Sequence, residues 1–157
     1  MAAHSPVALA LIYPHPSLTK IIGKPSYGSL KQLQKEIYAN ARTVFSTRGG
    51  GNNGHLSLVM PPLEYMRRTI SVPFEPPVHP GPAPTTGAFI SMVEFESAHN
   101  VHSALAKEFK IYTQVAASLK AQLLATIDAT YTNVLEDPVF GFADVAPLQI
   151  MVHLRVT

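Results

Sequence analysis

The chain has 157 residues, enough for one domain with a substantial hydrophobic core. Apolar residues make up 46% of it and charged residues only 14%, a balance that favours extensive burial or surfaces that meet other chains. The net charge of +2 is too small to indicate nucleic-acid binding by itself, and the absence of cysteine excludes disulfides, zinc knuckles, iron–sulfur sites and thiol nucleophiles.

The first 28 residues are predicted to form an extended arm. Residues 7–12 indicate a short strand, which ends at residues 13–16 because each proline there removes a hydrogen-bond donor and keeps its predecessor extended. Half of a small β-hairpin is the alternative. The apolar run at 6–12 is too short to span a bilayer and lacks a basic flank, so we expect a soluble intracellular protein.

Residues 29–157 are predicted to form one helical domain. Its first helix runs from Ser29 to about Phe45, because Ser29 and Gln32 fit a capping box. The apolar stripe of this helix consists of Leu30, Leu33, Ile37, Ala41, Val44 and Phe45.

A glycine-rich turn follows, which we call the Gly turn; it consists of Gly49, Gly50, Gly51, Asn52, Asn53 and Gly54. These residue types tolerate positive φ and predict a tight, exposed reversal. A phosphate-binding loop would need Lys and then Ser or Thr after the last glycine, whereas His55 and Leu56 follow here. A helix stop is therefore favoured over a phosphate cradle. Residues 55–60 indicate a short extended segment.

Two prolines and a proline-rich loop organise the next segment. Pro61 and Pro62 suit the first turn of a short helix, and Arg67 and Arg68 lie near its end, where cations complement the helix dipole. Residues 72–86, the Pro loop, are excluded from a helix or a central strand by their prolines. We expect a polyproline-like loop that docks on a partner.

Residues 88–127 contain neither Pro nor Gly and are predicted to form one long amphipathic helix. At 1.5 Å per residue it would span roughly 60 Å, so the other elements are expected to pack against it. An equally weighted alternative is a bent pair, in which Asp128 ends the long helix and caps a short helix over 129–135. The apolar positions of the long helix step by three and four residues and share one face: Ala98, Val101, Leu105, Phe109, Tyr112, Ala116, Leu119, Leu123 and Ile127.

Glu96, His99 and His102 lie on neighbouring turns of this helix. A Glu-x-x-His motif binds a di-iron site only when a second copy and two further glutamates face it across a bundle, and the sequence has no second copy. We therefore expect solvated or interface histidines, with no metal and no cofactor. No nucleophile–base–orienter set is present either, so we expect no enzymatic activity.

The last segment is predicted to end in a short helix. Residues 139–142 form an apolar loop that should be buried, and Asp144 is the expected N-cap of a helix with Pro147 in its first turn. The chain stops at Thr157 without a C-cap signal, which indicates a cut through a longer protein. The helix face consists of Leu148, Met151, Val152 and Arg155.

Several stretches, taken together in chain order, form a recognisable combination. They are Ser29-Leu30-x-x-Leu33-x-x-Glu36-x-x-Ala39-Asn40-Ala41, Gly49-Gly50-Gly51-x-x-Gly54-His55-Leu56-x-Leu58-Val59, His79-Pro80-Gly81, residues 121–124 before Tyr131, and residues 148–157. From about Lys24 to its end, the chain resembles the Gag-like protein of copia-type retrotransposons, in the form common in algal and diatom genomes.

This resemblance implies a mainly α, capsid-type domain that self-associates into a shell or lattice in cytoplasmic virus-like particles. The implied partners are further copies of the chain and, weakly and without specificity, RNA; no membrane and no small-molecule substrate is implied. In that family the chain continues, often to a cysteine-rich zinc knuckle, which this sequence does not contain. The sequence would then correspond to the N-terminal capsid domain. The family is structural and supplies no catalytic residues.

Two sets of residues are the candidates for contacts. For self-association we expect the Gly turn and the Pro loop around Phe74, His79 and Pro80, because loops held by helices carry contacts more often than buried helices do. For nucleic acid, four arginines converge if the helices flanking the Gly turn pack together: Arg42, Arg48, Arg67 and Arg68. The alternative function is a helical nucleic-acid-binding or protein-interaction domain, such as a domesticated Gag that forms no shell.

Overall fold

The computed structural model describes residues 5–88 and 91–157, which contain five α-helices and four short 3-10 turns. The helices are α1 (Pro6–Ile12), α2 (Tyr27–Thr43), α3 (Pro62–Arg68), α4 (Met92–Thr126) and α5 (Pro147–Arg155). The 3-10 turns are Leu56–Leu58, Thr86–Ala88, Ala129–Tyr131 and Asn133–Leu135. The described residues form no strand beyond an isolated bridge between Asp137 and Gly141. The mainly α class is confirmed.

Helix α4 is the longest element, and α1, α2 and α5 all pack against it. Its 35 residues span about 52 Å at 1.5 Å per residue. Its N-terminus is capped by Ser91, whose Oγ accepts a hydrogen bond from the Glu94 amide at 3.2 Å. The expected start near Ala88 adjoins residues 89–90, which lie outside the described residues. None of the described helices is long and apolar enough to cross a membrane.

The long helix ends at Thr126, close to the predicted break. Asp128 accepts a hydrogen bond from the Thr130 amide at 2.8 Å and thereby begins two consecutive 3-10 turns. The predicted break and cap are therefore present, but the short α-helix expected over 129–135 is replaced by tighter turns.

The predicted strand at residues 7–12 is wrong, because this segment is helix α1. Ser5 caps it, with its Oγ accepting from the Ala8 amide at 3.3 Å, and Pro6 occupies the first turn. Leu9 and Tyr13, one helical turn apart, are both buried in the core. A short apolar run does not distinguish strand from helix, and here the cap and the burial of one side favour the helix.

A second correction concerns the start of α2. The helix begins at Tyr27, and its capping box joins Ser26 to Ser29 rather than Ser29 to Gln32. The Ser29 amide donates to Ser26 Oγ at 3.1 Å, and the Ser26 amide donates to Ser29 Oγ at 2.8 Å. Ser29 therefore supplies the N3 half of the motif, which a glutamate or glutamine usually supplies.

The expected extended segment at residues 55–60 is also wrong. It forms the 3-10 turn Leu56–Leu58, with the Leu58 amide donating to the His55 carbonyl at 3.0 Å. Leu56, Leu58 and Val59 are all buried, so this turn directs several apolar side chains into the core at once, whereas a strand would alternate its side chains between two faces.

Two expectations for the C-terminal segment are wrong. Val139 and Phe140 are 80% and 65% exposed, so the loop over 139–142 is not buried. Asp137 closes it by accepting hydrogen bonds from the amides of both residues at 2.8 and 2.9 Å. Helix α5 begins at Pro147 with Ala146 rather than Asp144 as N-cap, because Gln149 Oε1 accepts from the Ala146 amide at 2.6 Å.

Candidate self-association surface

The Gly turn packs against α2 and α3. A Cβ atom on Gly49 would lie 1.8 Å from the Tyr65 hydroxyl oxygen. Gly54 has a φ of +51°, and a Cβ there would lie 2.7 Å from the Arg42 carbonyl oxygen. Of the six residues of the turn, only Gly51 and Asn52 are exposed, so the turn offers a small tip rather than a broad surface for assembly contacts.

Two of the four candidate arginines bind this turn. Arg42 Nη2 donates to the Asn52 carbonyl at 3.3 Å, and Arg68 Nε donates to Asn53 Oδ1 at 3.1 Å. Both side chains are exposed. Arg42 and Arg68 therefore each bind one of the two asparagines of the Gly turn.

The other two candidate arginines lie elsewhere. Arg48 Nη2 is 2.9 Å from Glu108 Oε2 on α4, so its guanidinium is paired with that carboxylate. Arg67 is exposed in the last turn of α3, next to Arg68. Of the set of four, Arg42 and Arg68 thus bind the Gly turn, Arg67 lies beside Arg68 at the end of α3, and the fourth compensates a carboxylate of α4.

Phe74 of the Pro loop is part of an aromatic cluster. Its ring stacks on Tyr112 with centroids 6.0 Å apart, and it meets the edge of Tyr65 at 6.1 Å. The His55 ring lies 6.2 Å away. Phe74 therefore packs half-buried against the core, and its aromatic contacts contribute to folding.

The remainder of the Pro loop lies on the N-terminal half of α4. The His79 ring meets the edge of Phe109, with centroids 5.4 Å apart. His102 Nε2 is 2.8 Å from the Gly81 carbonyl oxygen, and because a carbonyl only accepts, the histidine nitrogen donates. Pro80 is half-buried between these contacts. One side of this half-helix is thereby covered.

The Glu96, His99 and His102 set forms no ligand cluster. His99 stacks on Phe95 at 5.9 Å, and His102 is bound to the Pro loop. Within residues 5–88 and 91–157, no group of three or more His, Asp or Glu side chains is placed to hold a metal ion.

The other side of this half-helix is apolar and uncovered. Val101 is 58% exposed and Leu105 is 36% exposed, whereas Val115 and Leu119, two heptads later on the same face, are both fully buried. Ala104, which lies between Val101 and Leu105 in the sequence, is exposed as well. From Met92 to Gln114 no residue of α4 is buried. The face that builds the core in the last third of α4 thus continues outward, and no element of residues 5–88 or 91–157 covers it.

Phe45 extends this apolar surface from the end of α2. It is 74% exposed and lines a cavity of about 320 Å³ together with Ala104, Lys107 and Ile111 of α4. We refer to Phe45, Val101, Ala104 and Leu105 together as the uncovered face.

The carboxylate of Glu108 lies beside the uncovered face, and Arg48 compensates its charge within the chain. Burial acts to raise the pKa of Glu108, but the hydrogen bonds and charge of Arg48 and the hydroxyl of Thr47 outweigh it and lower the pKa below its ordinary value of 4.5. The Thr47 hydroxyl donates to Glu108 Oε1 at 2.8 Å. A partner that binds this face therefore contacts the Arg48–Glu108 ion pair rather than an unpaired carboxylate.

The sequence-based candidates did not include the uncovered face. The periodicity places Val101 and Leu105 on the apolar face of the long helix, and the other elements of the chain are expected to pack against that helix. The signal that identifies them is length: α4 has 35 residues, while the helices that pack on it have 7 to 17. Short helices cannot cover a helix of that length, so part of its apolar face remains exposed.

No protein-family model, no curated protein and no solved structure matches this chain. The resemblance to Gag-like proteins is therefore an expectation from short motifs. The functional argument depends on the surface described above.

Proposed function

We propose that this protein is a structural protein that self-associates into a lattice or shell, as a Gag-like capsid protein does. The observation that carries the proposal is the uncovered face, because it continues the same apolar face of α4 that forms the core. Fully burying a Val, Leu or Phe side chain stabilises a complex by roughly 1.5–3 kcal/mol. Covering this face with protein is thus a substantial driving force for association.

The composition supports the same function. Charged residues make up only 14% of the chain, so its surface has few charges to oppose contact between copies. The mainly helical fold agrees with the architecture that the Gag-like resemblance implies. On this proposal the protein acts in cytoplasmic virus-like particles and needs no cofactor or small-molecule substrate.

The experiment is particle mass by light scattering behind a sizing column, at low and high protein concentration. We expect the wild-type chain to form species much larger than 17.0 kDa as concentration rises. Val101→Glu should shift these species toward the monomer, because it places a charge at the centre of the uncovered face.

Val134→Glu is the matched control for this experiment. Val134 is 76% exposed in a 3-10 turn away from the uncovered face, so this variant should assemble like the wild type. Circular dichroism checks that both variants are folded. A wild-type chain that stays monomeric at every concentration contradicts the proposed function.

A second function, nucleic-acid binding without a shell, is favoured by one observation. Arg42 and Arg68 each donate a hydrogen bond to an asparagine of the Gly turn, and each has guanidinium donors beyond the one that holds the turn. Phosphate contacts make affinity fall steeply with salt. Monomers that bind RNA with such a salt dependence would favour this function over the capsid proposal.

A further inference from the structure

We propose that a second copy of the chain covers the uncovered face, with the two α4 helices antiparallel about a two-fold axis near Val101. This inference rests on the proposed self-association and specifies its partner and geometry. A two-fold contact uses the same patch on both copies, so the patch must be complementary to itself. Three features of α4 meet this requirement.

The first feature is the spacing of the side chains along the seam. The seam residues follow one another at alternating steps of four and three residues, which is the spacing in helices that pair side by side. They are Ser97, Val101, Ala104, Glu108 and Ile111. In an antiparallel pair, Val101 of each copy lies opposite Ala104 of the other. A larger side chain therefore faces a small one at both central layers, which allows the helices to approach closely.

The second feature is the charge along one edge of the seam. Glu96 and Lys107 are separated by close to three helical turns, so they flank the same edge of α4. Neither forms an ion pair within the described part of the chain. Antiparallel pairing brings this edge of one copy against the same edge of the other copy. Glu96 of each copy then lies near the level of Lys107 of the other copy. The opposite edge carries Ala98 and Leu105, so parallel pairing would leave both charges without a counter-ion.

The third feature is the fit at the ends of the overlap. With the axis near Val101, the first turn of one α4 reaches the level of Ile111 on the other, where Phe45 borders the cavity of about 320 Å³. Val93 in that first turn is 76% exposed and Phe45 is 74% exposed. The pairing covers both side chains, and the overlap stops where the core of the domain begins.

The charges around the face favour a copy of this chain over an anionic partner. Glu108 is compensated by Arg48, and Lys107 is balanced along the same edge by Glu96. The face therefore has no excess of positive charge for a phosphate backbone or an anionic lipid surface. An apolar seam flanked by both signs of charge is what a second copy supplies.

Cysteine cross-linking of the full chain tests this arrangement directly, because the natural sequence has no cysteine and each introduced thiol is unique. The variants are Val101→Cys, Glu96→Cys and Lys107→Cys, treated with a short bismaleimide under the conditions of the light-scattering experiment. Val134→Cys is the control at an exposed position outside the face.

We expect Val101→Cys to form covalent dimers with itself, because it lies near the two-fold axis. Glu96→Cys and Lys107→Cys should cross-link when the two proteins are mixed, at a yield at least several-fold above that of either alone and of the Val134→Cys control. Glu96→Cys dimers that form as readily without Lys107→Cys overturn the antiparallel arrangement.

Light scattering on the same samples separates the two proposals. Assembled wild-type species in which Val101→Cys cross-links no better than Val134→Cys overturn this pairing and leave the proposed function in place. Monomers at every concentration overturn both.

Discussion

At the scale of single residues, two glycines with the same backbone requirement have very different surroundings. Gly23 and Gly54 both have positive φ, at +73° and +51°. A Cβ on Gly23 would meet nothing within 4 Å, whereas a Cβ on Gly54 would lie 2.7 Å from the carbonyl oxygens of Arg42 and Val44. The pair therefore separates the cost of backbone conformation from the cost of close packing.

We expect Gly23→Ala to lower the free energy of unfolding by about 1 kcal/mol, the usual cost of placing an L side chain in the left-handed region. Gly54→Ala should lower it by about 3 kcal/mol or more, because the end of α2 must also move. Urea unfolding followed by circular dichroism measures both. Equal losses would mean that the turn accommodates the methyl group without displacing those carbonyls.

His55 is a buried histidine, and burial favours its neutral form. It is 2% exposed, and its Nδ1 donates to the Val44 carbonyl oxygen at 2.9 Å. Burial lowers the pKa of His55 below its ordinary value of 6.5, against smaller opposing effects from the Val44 carbonyl and the charge of Glu108. At a pH between the pKa of His55 in the folded chain and its higher pKa in the unfolded chain, the unfolded chain binds more protons than the folded chain does.

The stability contributed by neutral His55 should therefore be complete above about pH 6.5 and decrease as the pH falls below it. One proton gives a slope of at most about 1.4 kcal/mol per pH unit. His55→Asn, whose amide can still donate to Val44, should flatten the pH dependence of the unfolding free energy in this window. His99→Asn removes an exposed histidine and should keep the wild-type slope; a change of slope in that variant alone would contradict this assignment.

At the scale of elements, two buried amides hold the chain between α1 and α2 against the helices. Asn40 of α2 accepts from the His15 amide at 3.0 Å and donates to the His15 carbonyl at 2.9 Å. Gln122 of α4 donates to the carbonyls of His15 and Pro16 at 3.1 and 3.0 Å. Asn40 Nδ2 also donates to Gln122 Oε1 at 2.9 Å, which links the two helices.

Glu36 continues this attachment one turn earlier on α2. Its two carboxylate oxygens accept from the Thr19 amide and from the Thr19 hydroxyl, each at 2.7 Å. Burial acts to raise the pKa of Glu36, but these hydrogen bonds, with that of Gln32, lower it below 4.5. The segment predicted to be a surface arm is therefore attached to the core by polar side chains of both central helices.

Asn40→Ala should lower the free energy of unfolding by about 3 kcal/mol, because it removes the partner of the His15 amide and the Asn40 donor to the Gln122 side-chain oxygen. Asn100→Ala is the matched control, since Asn100 is exposed in α4 and alanine favours the helix; its effect should stay within about 0.5 kcal/mol. Thermal and urea unfolding measure both. A similar small effect at the two positions would show that the amide contacts are not important for stability.

At the scale of the whole molecule, α4 belongs to two different environments. Its last third carries buried residues on which α1, α2 and α5 pack, whereas its first two thirds carry no buried residue and have the Pro loop packed on one side. The short helices therefore complete a core at one end and leave an apolar seam at the other. The proposed assembly follows from this asymmetry rather than from the exposed loops, which are largely attached to the helices.

Local signals in the sequence were sufficient for the helices whose starts and interiors they mark. Pro62 and Pro147 lie in the first turns of α3 and α5 as predicted, and the absence of Pro and Gly after Gly87 predicts α4, because helix propensity and proline geometry act within a few residues. The same signals misassigned residues 7–12, where a seven-residue apolar run fits either secondary structure until a neighbour buries one side of it.

What only the tertiary structure decided is which apolar residues are covered. Val101 and Val115 have the same residue type, share one face of one helix and differ only in what lies opposite them. Likewise Phe140 and Phe74 are both aromatic loop residues, yet one is exposed and the other packs in an aromatic cluster. The sequence by itself determined the mainly helical class and the amphipathic face, because both depend on local periodicity. Burial depends on contacts between distant segments, which no local pattern specifies.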